Sequence, residues 1–326
     1  MPAVLVAPDS FKGTWNAAQV AGFMAAGAHE AGWQSISVPL ADGGEGTLDA
    51  VVSAQRLEAR QVTAHDPFGE EIECRLLLGD GMAYVEAAEA VGLALVRRLD
   101  ARSAVTASSR GVGELINHAL AAGARQIMVG VGGSATSDGG AGLIEALDLG
   151  RWSDRVHVEV LTDSATSYEE AAQVFARQKG ADEAGVLRLT QGLHDQAGKL
   201  PRDPRGVPAT GCGGGMSGAL WAHGATMSSG ADRVMDLLGV DDKIASADLV
   251  MTGEGCLDAQ TLTGKLVARL AQRVARRHRP LVVIAGRVEL TAGQCTRLGA
   301  AEVKEAGSPE TITGAARELC KSCPVI

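Results

Sequence analysis

The sequence predicts an α/β protein of two domains, and three observations lead to this prediction. The chain has 326 residues, of which 46% are hydrophobic, and this length fits two cores of ordinary size better than one. Aromatic residues make up only 3% of the chain, whereas glycine occurs 42 times. That composition is typical of buried parallel strands covered by helices. The third observation is a change of pattern, from strand–loop–helix units at both chain ends to close hairpins in the middle.

The N-terminal segment contains two strand–loop–helix units. Residues 3–7 form a short apolar run that predicts a buried strand. A helix is expected from about Thr14, because Val20 and Met24 recur at helical spacing. Residues 35–40 predict a second strand that again ends in a glycine-rich loop. Two such units in succession indicate a parallel sheet with its ligand site at the carboxyl ends of the strands.

The pattern changes after about residue 60, where three short strands follow one another closely. Residues 66–69 (DPFG) and 79–81 (GDG) separate them, and both segments carry the Gly and Asp residues that signal hairpins. A mixed α/β domain is therefore expected here. Its predicted strands are residues 61–64, 72–78, 82–86, 126–131 and 156–161, with a helix at 113–122.

The α/β rhythm returns towards the C-terminus, with strands expected at residues 248–251, 281–285 and 301–303 and a helix at 264–277. We therefore predict a flavodoxin- or Rossmann-like parallel-sheet domain built from both chain ends, with the mixed α/β domain inserted in the middle. The predicted boundaries are residues 1–60 plus 240–326 for the first domain and 61–239 for the second, with the functional cleft between them.

Charge and cysteine content exclude several classes of protein. The formal net charge of −9 argues against a nucleic-acid partner, which requires a basic surface. No signal peptide and no apolar run of membrane-spanning length is evident, so a cytoplasmic location without a membrane partner is expected. The six cysteines are scattered, and reduced thiols are the expectation. Cys320 and Cys323 form a C-x-x-C at the tail, but no second pair accompanies them, so we expect them to be inert.

Four glycine-rich polar loops follow a strand or precede a helix, and such loops let backbone N–H groups approach a phosphate. The common nucleotide-binding motifs are nevertheless absent. Gly264 and Lys265 do not form a Walker A loop, because Ala259 occupies the position of its first glycine. The dinucleotide fingerprint is missing after the first strand, which makes a dehydrogenase the least favoured class.

Five blocks of the sequence, in order, resemble the bacterial class I glycerate kinases. The blocks span the chain from residue 3 to about residue 290, and their order makes the resemblance far more specific than any single block. The resemblance implies ATP as phosphate donor, Mg²⁺, D-glycerate as the small-molecule acceptor and 2-phosphoglycerate as the usual product; it leaves a homo-oligomer open. The blocks are residues 7–13 (APDSFKG), 40–47 (LADGGEGT), 66–69 (DPFG), 132–140 (GGSATSDGG) and 252–261 (TGEGCLDAQT).

For phosphoryl transfer the protein must position the reactants and neutralise charge. Lys12, just past the first strand, is the candidate cation for the substrate carboxylate or the transferring phosphoryl group. Asp42 and Asp9 hold matching positions after the first two strands. We prefer Asp42 as the base, with Asp9 ordering Lys12 or a magnesium-bound water, although capping or turn roles are the alternative for both.

The remaining candidate residues lie in the glycine-rich loops. Asp138 and Asp258 are candidate metal ligands, with a satisfied turn network as the alternative. For Gly213 and Gly214 a packing role is as plausible as a ligand role. The candidates for binding substrate or phosphate are Ser10, Gly43, Gly44, Gly132, Gly133, Ser134, Thr136, Gly213, Gly214 and Glu254.

The sequence departs from the family's pattern between residues 148 and 180. The connection at 148–154 is shorter than the family's, residues 164–168 (SATSY) replace an Asn-Pro-Leu loop, and residues 176–180 (ARQKG) stand where the family has Gly-Pro-Gln-Lys-Gly. The departure motivates a second hypothesis, a non-catalytic or altered-specificity member that binds nucleotide or another hydroxy acid.

Overall fold

The computed structural model describes residues 1–11, 13–52 and 57–323. Within these ranges the chain forms strands and helices that we number in chain order. The strands are β1 Ala3–Val6, β2 Gln34–Ser37, β3 Glu58–His65, β4 Glu71–Gly79, β5 Met82–Glu86, β6 Gln126–Gly130, β7 His157–Thr162, β8 Thr226–Ser229, β9 Leu249–Glu254, β10 Leu281–Ala285 and β11 Glu302–Glu305.

The helices lie mostly between the parallel strands. Helix bounds are α1 Ala17–Glu30, α2 Thr47–Val52, α3 Ala87–Val91, α4 Ala101–Thr106, α5 Arg110–Ala121, α6 Ala141–Ala146, α7 Ala171–Phe175, α8 Glu183–Ala197, α9 Met216–Ala222, α10 Gly230–Leu237, α11 Val240–Ser246, α12 Leu266–Arg276, α13 Ala292–Leu298 and α14 Pro309–Ser322. None of these helices combines the length and the hydropathy that crossing a bilayer requires.

Both chain ends contribute to one compact unit, Met1–Asp42 with Ala231–Ile326, and the second unit is Gly43–Gly230. The predicted fold class is therefore confirmed: a parallel α/β unit made of both chain ends, with a mixed α/β unit inserted. The boundaries between the two units follow residues 42 and 230, earlier in the chain than the predicted boundaries after residues 60 and 239. The physical reason at the first boundary is that α2 packs on β4 and β5 of the second unit.

The first unit is built on a five-stranded parallel sheet in the order β11-β10-β9-β1-β2. Helix α1 begins at a capping box made by Asn16 and Gln19 and buries Val20 and Met24, as the helical spacing predicted. Helix α14 packs closely on α1 at Gly27, where a Cβ atom would lie 2.1 Å from the Thr313 carbonyl oxygen. Strand β2 ends at Ser37 and not at residue 40 as predicted.

The second unit contains a six-stranded mixed sheet in the order β3-β4-β5-β6-β7-β8. Strands β3, β4 and β5 pair antiparallel, as the hairpin signals predicted, and β5 to β8 pair parallel. Helices α3, α5, α6 and α9 cover the main core, in which Val85, Leu115 and Val129 are buried. A smaller core forms around Tyr168 between α7 and α8.

Candidate functional site

The predicted site residues fall into two groups, one in each unit. Each group lies at or near the carboxyl ends of parallel strands. The first unit holds Asp9, Ser10, Asp42, Glu254 and Asp258, and the second holds Gly43, Gly44, Gly132, Gly133, Ser134, Thr136, Asp138, Gly213 and Gly214. Lys12, the candidate cation, lies outside the described residues.

In the first unit, the loops after three neighbouring strands run side by side. The Asp9 N–H donates to the Gly253 carbonyl oxygen at 2.8 Å, and the Leu40 N–H donates to the Pro8 carbonyl oxygen at 2.9 Å. These bonds continue the strand pairing past the ends of β2 and β1. Asp9 and Asp42 are thereby carried on adjacent loops, and Glu254, the last residue of β9, lies next to the loop of Asp9.

The order of the strands marks the carboxyl ends of β1 and β9 as a binding position. Strand β2 lies on one side of β1, and β9, β10 and β11 follow on the other side. The chain therefore reverses its direction of winding between β1 and β9. In open α/β sheets, ligands bind outside the carboxyl ends of the strands at such a switch point.

Two of the predicted residues are linked through a buried threonine. Thr261 donates its hydroxyl hydrogen to Glu254 Oε1 at 2.7 Å, and its own N–H donates to Asp258 Oδ1 at 3.3 Å. Asp258 Oδ1 also accepts from the Gln260 N–H at 2.7 Å. The sequence TGEGCLDAQT thus folds as a turn around Thr261, which presents the half-buried Glu254 next to the loop of Asp9.

In the second unit, the loop that begins at Gly43 packs against the end of β6. A Cβ atom on Gly132 would lie 2.7 Å from Gly44 Cα, and one on Gly130 would lie 2.3 Å from the Gly43 carbonyl oxygen. These glycines allow the backbones of the two predicted loops to approach closely. Gly43 itself has a φ of 89°, which only glycine adopts readily.

Glu86, the last residue of β5, is a residue of this site that the sequence analysis did not single out. Its carboxylate accepts hydrogen bonds of 2.7 Å from the N–H groups of Gly46 and Leu48, at the start of α2. The side chain is 2% exposed, and burial raises the pKa of Glu86 to about 7 although both N–H groups favour the charged form. The sequence signal that could have identified Glu86 is a carboxylate at the last position of an otherwise apolar strand.

The loop of residues 132–142 is held from several sides, so its conformation is fixed before any ligand binds. The Ala135 N–H donates to the Val91 carbonyl oxygen at 2.8 Å, and the buried Tyr168 hydroxyl donates to the Gly139 carbonyl oxygen at 2.7 Å. The Gly139 N–H donates to the Gly214 carbonyl oxygen at 3.0 Å. Such preorganisation favours a binding loop.

Asp138 fastens this loop to the start of α5. Its Oδ2 accepts from the N–H and the hydroxyl of Ser109, at 2.9 and 2.8 Å, and from the Gly142 N–H at 3.1 Å. Its Oδ1 accepts from the Gly140 N–H at 3.1 Å. The geometry favours the turn network, which the sequence left open, over a metal ligand, because a cation would compete with four donors.

Gly213 and Gly214 let a second loop interlock with the loop of residues 132–142. Both have positive φ values, 61° and 66°. A Cβ on Gly214 would lie 2.0 Å from the Thr136 carbonyl oxygen, and one on Gly213 would lie 2.8 Å from Val131 Cβ. Close packing of the two loops, one of the two roles left open by the sequence, is therefore enough to explain why both positions need glycine.

Lys179 also reaches this loop and is a second residue that the sequence analysis missed. Its ammonium group donates to the Thr136 carbonyl oxygen at 2.6 Å, and its side chain is buried. The available signal was its place in the Gln-Lys-Gly run of residues 178–180, which the chain shares with the family's pattern.

The described residues fit a magnesium ion that arrives with a nucleotide better than a resident one. Within those ranges, no three His, Cys, Asp or Glu side chains are grouped so that they could hold a metal. Magnesium bound through substrate phosphates needs only one or two carboxylates. Asp258 fits this requirement, because the hydrogen bonds that its carboxylate accepts from described residues use Oδ1 alone.

Comparison with known proteins connects this arrangement to a family. The model of the glycerate kinase family matches the chain in two segments, residues 4–161 and 148–318. The segments overlap at residues 148–161, a stretch that includes the shortened connection predicted at 148–154. The match therefore spans both units of the structure.

Individual relatives agree with the family model. The chain is 36% identical over 324 residues to "Glycerate 2-kinase" of Escherichia coli K12, covering 87% of this chain and 84% of that protein. It is 34% identical over 331 residues to "Glycerate kinase" of Bacillus subtilis 168, covering 87% and 85%. A crystal structure of a putative glycerate kinase 2 from Salmonella typhimurium LT2 superposes with a TM-score of 0.80 at 32% identity, covering 98% of this chain and 97% of that one. The chain belongs to the glycerate kinase family.

Proposed function

We propose that this protein transfers the γ-phosphoryl group of ATP to a hydroxyl group of D-glycerate and forms 2-phosphoglycerate. Membership of the glycerate kinase family supports the reaction class, and the name of the Escherichia coli relative supports the 2-position. The structural observation that carries the proposal is the grouping of Asp9, Asp42 and Glu254 at the ends of three adjacent strands, at the switch point of the parallel sheet. The non-catalytic alternative has no comparable support.

In the proposed reaction, Asp42 accepts the proton of the glycerate hydroxyl as its oxygen attacks the γ-phosphorus. The bond between that phosphorus and the bridging oxygen breaks, and ADP leaves. Asp9 orders Lys12 or a magnesium-bound water, and Lys12 neutralises the substrate carboxylate or the transferring phosphoryl group. Ser10 and Glu254 hold glycerate by hydrogen bonds.

The glycine-rich loops of the second unit are proposed to bind phosphate oxygens through backbone N–H groups. These loops contain Gly43 and Gly44, Gly132 and Gly133, and Gly213 and Gly214, with Ser134 and Thr136 as hydroxyl donors. Magnesium, when bound with ATP, supplies charge neutralisation on the phosphate oxygens. Asp258 is the proposed carboxylate partner of that ion, and the hydrogen bonds of Asp138 leave it a supporting role.

We also propose a cytoplasmic location for the enzyme. The support is the sequence, in which six cysteines are scattered along a chain that is long enough to fold without disulfides, as suits a reducing compartment. Homo-oligomer formation stays a prediction from the sequence.

The proposal is tested by following ADP release from ATP and Mg²⁺ with D-glycerate, L-glycerate and tartronate as separate acceptors. Turnover is expected with D-glycerate above the rate without acceptor, and omission of Mg²⁺ should abolish it. Phosphorus and carbon NMR of the product would identify the phosphorylated hydroxyl. Binding of ATP without turnover of any acceptor would contradict the proposed function.

A further inference from the structure

Lys179 is a buried cation in the second unit. Its side chain is 4% exposed, and its ammonium nitrogen lies 2.6 Å from the Thr136 carbonyl oxygen. Gly180, which follows it, has a φ of 100° and ends the short turn that contains Lys179. The turn therefore sets the backbone conformation next to Lys179, and the hydrogen bond directs its side chain to the loop of residues 132–142.

The charge of Lys179 is compensated only in part. Among the described residues, no carboxylate forms an ion pair with it, and the four donors described above already occupy the nearby Asp138. Burial lowers the pKa of Lys179 to about 8, while the charge of Asp138 acts in the opposite direction. Keeping an ammonium group buried with a neutral carbonyl oxygen as its hydrogen-bond acceptor costs stability.

The loop that Lys179 contacts carries two buried hydroxyl groups that lack a hydrogen-bond partner among the described residues. The hydroxyl oxygens of Thr136 and Ser137 are buried, and neither forms a hydrogen bond within the described part of the chain. Their residues are 0% and 2% exposed. Buried hydroxyl groups normally find partners, so two unsatisfied ones on the loop that a buried cation contacts indicate a place for an anionic group.

We infer that Lys179 is a positioning residue of the phosphate-binding loop: it fixes the Thr136 carbonyl oxygen and supplies the positive charge that makes residues 132–137 an anion site. The inference rests on the proposed function, since it specifies how the second unit would hold the anionic end of ATP or glycerate. The charge lies behind the loop, where it favours an anion without competing for the backbone N–H groups that contact it.

The experiment compares wild type with Lys179→Met, Lys179→Gln and the control Lys199→Met. Methionine keeps the volume of lysine without its charge, and glutamine also keeps a hydrogen-bond donor for the Thr136 carbonyl oxygen. Lys199 is an exposed lysine that follows α8 in the same unit. Steady-state kinetics would give kcat and KM for ATP and for D-glycerate, calorimetry would give the affinity for each compound alone, and thermal unfolding would give Tm.

We expect both Lys179 variants to weaken binding of one of the two anions by about tenfold to a hundredfold. Their Tm values should stay within about 3 °C of wild type, because removing a buried charge offsets the hydrogen bond that Lys179→Met loses. Lys199→Met should match wild type. The compound whose KM rises is the one held at the loop.

Two results would overturn the inference, and a third would overturn only the proposed function. Wild-type affinities and KM values in Lys179→Gln would show that the charge is not needed. Failure of both Lys179 variants to fold, or a lower Tm with unchanged kinetics of the folded fraction, would make the lysine a purely structural group. A wild-type protein that turns over no acceptor, but whose affinity for ATP or D-glycerate depends on Lys179, would contradict the proposed function and leave the anion site standing.

Discussion

The carboxylate of Glu86 accepts a 2.7 Å hydrogen bond from the N–H of Leu48, in the first turn of α2, at the point where β5 ends. The same carboxylate accepts from the Gly46 N–H. One buried side chain therefore fixes the loop that carries Gly43 and Gly44, which are candidate phosphate-binding residues. The position of that loop depends on a residue about 40 positions away in sequence.

Glu86 should make the stability of the protein depend on pH. Burial raises its folded-state pKa from 4.5 to about 7, so it contributes stability below pH 4.5 that is lost as the pH rises through about 7. The full effect is on the order of 3 kcal/mol in the free energy of unfolding. Urea denaturation of wild type and Glu86→Gln at pH 5 and pH 8 would measure it, with Glu58→Gln as an exposed control. A difference between wild type and Glu86→Gln that does not change with pH would contradict the assignment.

Asp42→Asn should lower kcat by about a hundredfold to ten-thousandfold, which is the range for a lost general base. The asparagine is close to aspartate in shape, so Tm and the affinity for ATP should change little. Steady-state ADP release with D-glycerate is the measurement, and Asp154→Asn, an exposed position in the second unit, is the control. A rate near that of wild type would transfer the role of base to Asp9.

Lys12→Ala should lower turnover at least about a hundredfold, the size of a lost charge-stabilising donor. The exposed Lys321→Ala provides a matched loss of one positive charge. Single-turnover measurements with saturating ATP and D-glycerate would separate this effect on the chemical step from one on binding. If Lys12→Ala retains wild-type turnover, Lys12 does not belong to the active site.

Gly214→Ala should destabilise the second unit and impair activity together. The residue has a φ of 66°, and a Cβ atom there would lie 2.0 Å from the Thr136 carbonyl oxygen. We expect a loss of at least about 2 kcal/mol in the free energy of unfolding. Gly192→Ala is the matched control, because nothing lies within 4 Å of its Cβ position. In the interior of α8 it should stabilise by about 0.5–1 kcal/mol. Equal stability of the two variants would contradict the interlocking of the loops.

Some of the candidate site could be predicted because it follows directly from local sequence. Asp9 and Asp42 follow apolar runs that form strands, and parallel strands bring their carboxyl ends to one edge. The hairpins between β3, β4 and β5 were also predictable, since the turn residues at 66–69 and 79–81 act locally. Strand β8 was not predicted, because its sequence, Thr-Met-Ser-Ser, lacks an apolar run and forms a strand only by pairing with β7.

The sequence by itself determined the α/β class, the insertion of one unit into another and the loops that carry the candidate site, because each depends on residue patterns within short segments. Only the tertiary structure decided the hydrogen-bond partners of Asp138, Glu86 and Lys179. Asp138 turns inwards to four donors, Glu86 holds a distant loop, and Lys179 is buried beneath Thr136. The physical reason is that burial and hydrogen-bond partners, which set the charge and the chemistry of a polar side chain, come from segments far apart in the chain.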